Sequence, residues 1–133
     1  IVYVGQEKAP YTGVVESYDE KGVLTAKAEF KDGKMNGFSK LYYPSGKLGS
    51  EATFSNGVQV GIQKDYYENG KLKYEFSYKN GQMDGVAKEY YPSGKIKIEE
   101  PYKNGQIDGV AKAYDESGKV IQQATFKNGQ QIQ

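Results

Sequence analysis

A 24-residue period constrains this chain more than any other feature. Gly13, Gly37, Gly61, Gly85 and Gly109 recur at that interval, as do Gly22, Gly46, Gly70, Gly94 and Gly118, and Gly33, Gly57, Gly81, Gly105 and Gly129. A tyrosine column (Tyr18, Tyr42, Tyr66, Tyr90, Tyr114), an aliphatic column (Leu24, Leu48, Leu72, Ile96, Val120) and an aromatic column (Phe30, Phe54, Tyr78, Tyr102, Phe126) keep the same step. A further apolar column, Val14, Phe38, Ile62, Val86 and Val110, follows the first glycine. A fixed period of this length marks an array of supersecondary units that bury apolar surface only by stacking on their neighbours.

Composition says what the unit is made of. Across 133 residues, 37% are apolar and 26% charged, too little apolar material for a thick core. Seventeen glycines, thirteen tyrosines and five phenylalanines favour short strands joined by tight turns. The expected fold is therefore all-β: an elongated single-layer antiparallel meander of about eleven strands, advancing roughly 10 Å per repeat because each hairpin adds two strands. The expected division is 1–12, an N-terminal edge strand (Ile1 to Val4) and lead-in segment, then repeats at 13–36, 37–60, 61–84, 85–108 and 109–133.

Each repeat carries two turn signals, Tyr43-Pro44-Ser45-Gly46 and Ser55-Asn56-Gly57 being one pair. Proline suits the first central position of a type I turn followed by a left-handed glycine, so a three-residue loop with a glycine bulge is predicted over a two-residue loop. The register that follows predicts Ile62, Tyr66, Leu72, Phe76 and Tyr78 on one face, with Asp65, Tyr67, Lys71, Lys73 and Glu75 on the other. It sets Asp65 opposite Lys73 and Glu89 opposite Lys97. Lys40, Lys64, Lys88 and Lys112 fall on the apolar face, where their stems can lie along aromatic rings while the ammonium reaches water. Asp19 and Asp115 replace the outward tyrosines Tyr43, Tyr67 and Tyr91, which suggests capping of the outer repeats.

Function classes can be excluded as well. Histidine, cysteine, tryptophan and arginine are absent, which removes the usual catalytic base, the thiolate nucleophile and the bidentate reader of phosphate and guanine. Eighteen lysines against seventeen acids leave no field to attract nucleic acid. Glu99 and Glu100 point to alternate faces of a strand, and Asp84 and Asp108 read as Asx-type turn residues. No enzyme activity, cofactor or metal is expected. No stretch approaches the roughly 20 apolar residues of a membrane helix. A first residue other than Met suggests an upstream segment and tilts the expectation towards a secreted, periplasmic or cell-surface setting.

Gly61 to Tyr66-Tyr67, Glu68-Asn69-Gly70-Lys71-Leu72 and Tyr78-Lys79-Asn80-Gly81 together resemble the MORN repeat, in the variant form common in bacterial proteins. The resemblance covers Gly13 to Gln130, and Pro10-Tyr11-Thr12-Gly13 looks like its start. It implies a long, twisted single-layer sheet curved so that its aromatic face lines a groove, with a role in scaffolding, peptide binding or membrane-surface association. The cell-wall-binding hairpin repeat is shorter and relies on tryptophan cages, which this chain lacks.

The expectation is a non-catalytic scaffold that binds a protein or peptide partner along a concave aromatic face. Tyr42, Tyr66, Tyr90, Phe54, Phe76, Tyr78 and Tyr102 would line that face, flanked by Lys40, Lys64 and Lys88. The alternatives are a structural spacer or assembly unit, or a module for membrane-surface or cell-wall association.

Overall fold

The chain folds as one open antiparallel sheet in the computed structural model, which describes residues 11–132. The expected edge strand at Ile1 to Val4 lies outside the described residues. Among the described residues all regular structure is strand. The strands are β1 (Gly13–Tyr18), β2 (Leu24–Lys31), β3 (Lys34–Tyr42), β4 (Leu48–Ser55), β5 (Val58–Tyr66), β6 (Leu72–Lys79), β7 (Gln82–Met83), β8 (Gly85–Tyr90), β9 (Ile96–Lys103), β10 (Gln106–Ile107), β11 (Gly109–Tyr114), β12 (Val120–Lys127) and β13 (Gln130–Gln131). They run in simple up-and-down order, with β7 and β10 as short segments paired to β6 and β9 ahead of the glycines that start β8 and β11. With one layer there is almost nothing to bury: Ala87 is the only buried hydrophobic residue among those described.

The two turns of each repeat differ in kind, as their residues dictate. Asp32, Asn56, Asn80, Asn104 and Asn128 take φ between 49° and 52° and are followed by glycines at 80° to 83°. Two successive left-handed residues make a type I′ turn, whose twist matches the flanking strands. At the other end Gly46 donates to the Tyr43 carbonyl (2.8 Å), and Tyr43 to that of Lys47 (2.8 Å). Gly46 is left-handed, at φ 90°. This is the three-residue loop with a glycine bulge, and it recurs at Tyr67, Tyr91 and, with aspartate in place of tyrosine, at Asp19 and Asp115. There the carboxylates take over a turn role: Asp115 accepts from the Ser117 and Lys119 amides at 2.9 and 3.0 Å, Asp19 from those of Lys21 and Val23.

Beyond that loop the register departs from the expected one. Tyr66 pairs with Leu72, but Asp65 pairs with Tyr74, so Lys73 is an extra residue on its strand. Matching shifts occur between Ser17 and Tyr18, Leu41 and Tyr42, Glu89 and Tyr90, and Ala113 and Tyr114. A bulge of one residue reverses which face every later side chain takes. The expected pairs Asp65–Lys73 and Glu89–Lys97 are therefore replaced by Asp65–Tyr74 and Glu89–Ile98. Lys97 still reaches Glu89 at 3.4 Å, diagonally, while Asp65 accepts instead from Ser50 Oγ (2.7 Å) and Gln63 Nε2 (3.1 Å).

Repeats are tied to one another along both margins of the sheet. On one, Tyr67 donates to the Tyr90 carbonyl and Tyr91 to that of Tyr114, each at 2.6 Å, and Tyr43 donates likewise to Tyr66. On the other, the turn glycines Gly57, Gly81, Gly105 and Gly129 donate to carbonyls of the preceding repeat at 2.7 to 2.9 Å. Thr12, Asn36, Asp84 and Asp108 accept from the turn amides of Asp32, Asn56, Asn104 and Asn128. Asp84 and Asp108 thus brace the turn 20 residues on, instead of making the local Asx turns expected of them.

Candidate functional site

Directly paired residues share a face of an antiparallel sheet, so the register sorts every strand position into two sets. One set holds Tyr42, Tyr66, Tyr90 and Tyr114 with Lys40, Lys64, Lys88 and Lys112. Opposite those lysines stand Glu51, Glu75 and Glu99, giving the unbroken row Lys40–Glu51–Lys64–Glu75–Lys88–Glu99–Lys112 across the sheet. We refer to this side as the ladder face. Lys64 and Lys88 lie between carboxylates one strand away on either side, whereas Lys40 has Lys27 and Lys112 has Gln123 on its outer side. The Lys40 ammonium sits 5.1 Å from the centre of the Phe38 ring.

Tyrosine hydroxyls close the ladder. Tyr66 donates to Glu51 Oε1 at 2.7 Å and Tyr90 to Glu75 Oε1 at 3.3 Å, and Tyr114 donates to Glu99 in the same way. Burial, the bond to Glu51 and the charges of Glu51 and Glu75 push the Tyr66 phenol up to about 12. Tyr90 is raised by burial and then by Glu75, whereas at Tyr114 the bond to Glu99 is the main cause. Val14, Ile62, Val86 and Val110 stand exposed on this face, each once per repeat.

The opposite side has repeating margins and a changing middle. Phe54, Tyr78, Tyr102 and Phe126 each lie across from a glycine, Gly37, Gly61, Gly85 and Gly109, which leaves room for the ring to cover the bare backbone. Tyr43, Tyr67 and Tyr91 form the other margin. Between the margins four columns change at nearly every step: Ser39, Gln63, Ala87, Ala111; Leu41, Asp65, Glu89, Ala113; Ser50, Tyr74, Ile98, Gln122; Ala52, Phe76, Glu100, Ala124. This is the divergent face. Tyr74 and Phe76 stack at 5.5 Å with their planes 17° apart, and the Lys73 ammonium sits over both Tyr67 and Tyr74.

The expected single groove is thus two half-sites on opposite sides. Tyr42, Tyr66, Tyr90, Lys40, Lys64 and Lys88 belong to the ladder face, while Phe54, Phe76, Tyr78 and Tyr102 belong to the divergent face. The bulge separates them: alternation alone, counted through Lys73 without an extra residue, puts Phe76 beside Tyr66. Tyr74 and Ile98 went unnoticed in the sequence because they break the period, and Glu100 was read only as pointing to the face opposite Glu99.

The repeat geometry, with its glycine-bearing bulges and inter-repeat tyrosines, accords with a family match. The family model of the MORN repeat variant fits the chain five times, at residues 11–32, 35–56, 59–80, 83–104 and 107–128. The chain belongs to this family. No curated protein matches it. Within these MORN repeats the ladder face carries the period and the divergent face departs from it. No helix among the described residues is long and apolar enough to cross a membrane.

Proposed function

We propose that this MORN array is a non-catalytic recognition scaffold that binds a protein or peptide partner on its divergent face. The observation that carries the reading is the unequal distribution of variation between the two faces of the same strands. Repeats under a common packing constraint keep the residues that hold the array together, and the ladder face does so through its tyrosine, lysine and glutamate columns. A surface meant to match one partner has no reason to repeat every 24 residues. Tyr74 and Phe76 supply the large, rigid anchors that dominate the energetics of many interfaces. An open sheet with no second layer leaves such anchors accessible.

Capture from the source-cell extract, followed by binding of each purified candidate, tests this reading. Tyr74→Ser/Phe76→Ser should weaken the interaction at least tenfold, whereas Ile62→Ser/Val86→Ser on the ladder face should leave it within twofold. The reverse ranking contradicts the proposal. A second reading, association of the ladder face with a membrane surface, draws on its exposed aliphatic row beside the lysines. The intervening glutamates cancel the attraction that anionic headgroups would exert on those lysines. Sedimentation with vesicles rich in anionic lipid should accordingly leave the protein in the supernatant.

A further inference from the structure

Small residues on the divergent face open a hollow beside the Tyr74–Phe76 ridge. Ala111, Ala113 and Ala124 form its floor, with Ile98, Phe126 and Glu100 around it, and its volume is about 280 Å³. That lies just under the about 300–1,000 Å³ typical of small-molecule sites and suits one or two side chains of a larger partner. Among its walls Glu100 is the charged group aimed to this side, since it pairs with Ala87. Lys112 also borders the hollow, but it pairs with Glu99 and Gln123 and so belongs to the ladder face.

The other charges of the divergent face's middle are engaged. Asp65 accepts from Ser50 and Gln63, and Glu89 pairs with Lys97. Among the described residues half-buried Glu100 has no hydrogen-bond or ion-pair partner, although its charge acts on the Tyr102 phenol, raised mainly by burial and then by Glu100. It also borders a second, smaller hollow shared with Tyr74, Phe76 and Ala87, so one carboxylate stands at the junction of two apolar depressions. A half-buried carboxylate without a partner complements a cation brought in by a ligand.

Building on the recognition reading above, we infer that the hollow takes a polypeptide segment presenting a Lys or Arg next to a bulky apolar residue. The apolar side chain fills the space over Ala111, Ala113 and Ala124, and the cation reaches Glu100. No rearrangement of the sheet is needed, because the floor is already formed by alanines.

Amide chemical-shift titration of the intact array with two capped tetrapeptides, Gly-Lys-Phe-Gly and Gly-Glu-Phe-Gly, tests the assignment. The lysine peptide should shift Ile98, Glu100, Ala111, Ala113 and Ala124 and bind at least fivefold more tightly than the glutamate peptide. Glu100→Gln should erase most of that difference and Ala113→Leu should abolish binding of both peptides, each variant keeping the wild-type spectrum elsewhere. Equal affinities for the two peptides, or no shifts at the hollow, overturn the inference. Shifts confined to Tyr74 and Phe76 overturn it too, yet leave the divergent face as the recognition surface. Shifts confined to the ladder face count against both.

Discussion

Gly109→Ala lowers the stability of the array by about 2–4 kcal/mol in urea denaturation, whereas Gly94→Ala costs about 1–2 kcal/mol. Both glycines have positive φ, 123° at Gly109 and 98° at Gly94, so conformation alone does not separate them. Space does. A Cβ on Gly109 would lie 2.9 Å from Cγ of Pro101, a ring atom that cannot swing away, while nothing lies within 4 Å of one on Gly94. The same crowding recurs at Gly85, where Ser77 Cβ would be 3.1 Å away. At Gly109 the added methyl has to push β11 off β9, which are joined by the Lys112–Glu99 and Ala113–Ile98 pairs and, beside Gly109, by the Asp108 amide donating to the Pro101 carbonyl at 2.9 Å. Equal losses for the two variants would mean that backbone strain, not close approach, selects these glycines.

Alkaline titration gives the second large effect. A group whose pKa is raised on folding supports the folded state fully below its unfolded value, and that support fades as pH rises through the folded value. For Tyr66 the window runs from the ordinary phenol value of 10.0 to about 12. Tyr90 and Tyr114 are shifted in the same direction, by burial and by the ladder glutamates. Ionisation converts each hydroxyl donor into a phenolate facing a carboxylate, so attraction becomes repulsion at successive repeats. The array should therefore be stable through neutral pH and lose its strand signal in circular dichroism between pH 10 and 12. Glu51→Gln should bring Tyr66 ionisation, followed by phenolate absorbance, back towards its ordinary value. Unchanged ionisation in that variant would show that burial alone raises the phenol.

Most of the architecture was readable in the sequence because it rests on local rules that the period repeats five times. Asn-Gly specified the type I′ turns, and Pro44 with Gly46 the longer loop. The faces were not readable in full. The pairing of Tyr66 with Leu72 follows from the loop, but the extra residue at Lys73 has no side-chain signature: Thr25, Gly49, Lys73, Lys97 and Ile121 occupy that position in the five repeats. A bulge is a property of backbone hydrogen bonding and is compatible with many side chains. The candidate site suffered for a related reason. Columns that repeat draw attention, and the tyrosine and lysine columns proved to be the cohesive side, whereas Phe76 was grouped with them and Tyr74, Ile98 and Glu100 join it only once the register shows that they share a surface.

The division into a cohesive face and a recognition face depends on that one-residue bulge, and nuclear Overhauser contacts in the central repeat test it most directly. The structure pairs Gln63 with Phe76 and Lys64 with Glu75, so the Phe76 ring should show contacts to the side chains of Gln63 and Tyr74 and none to Ile62. Contacts between the Phe76 ring and the Ile62 methyl groups, together with Lys64 against Tyr74, would restore the unbulged register, merge the two faces into one groove and contradict the account.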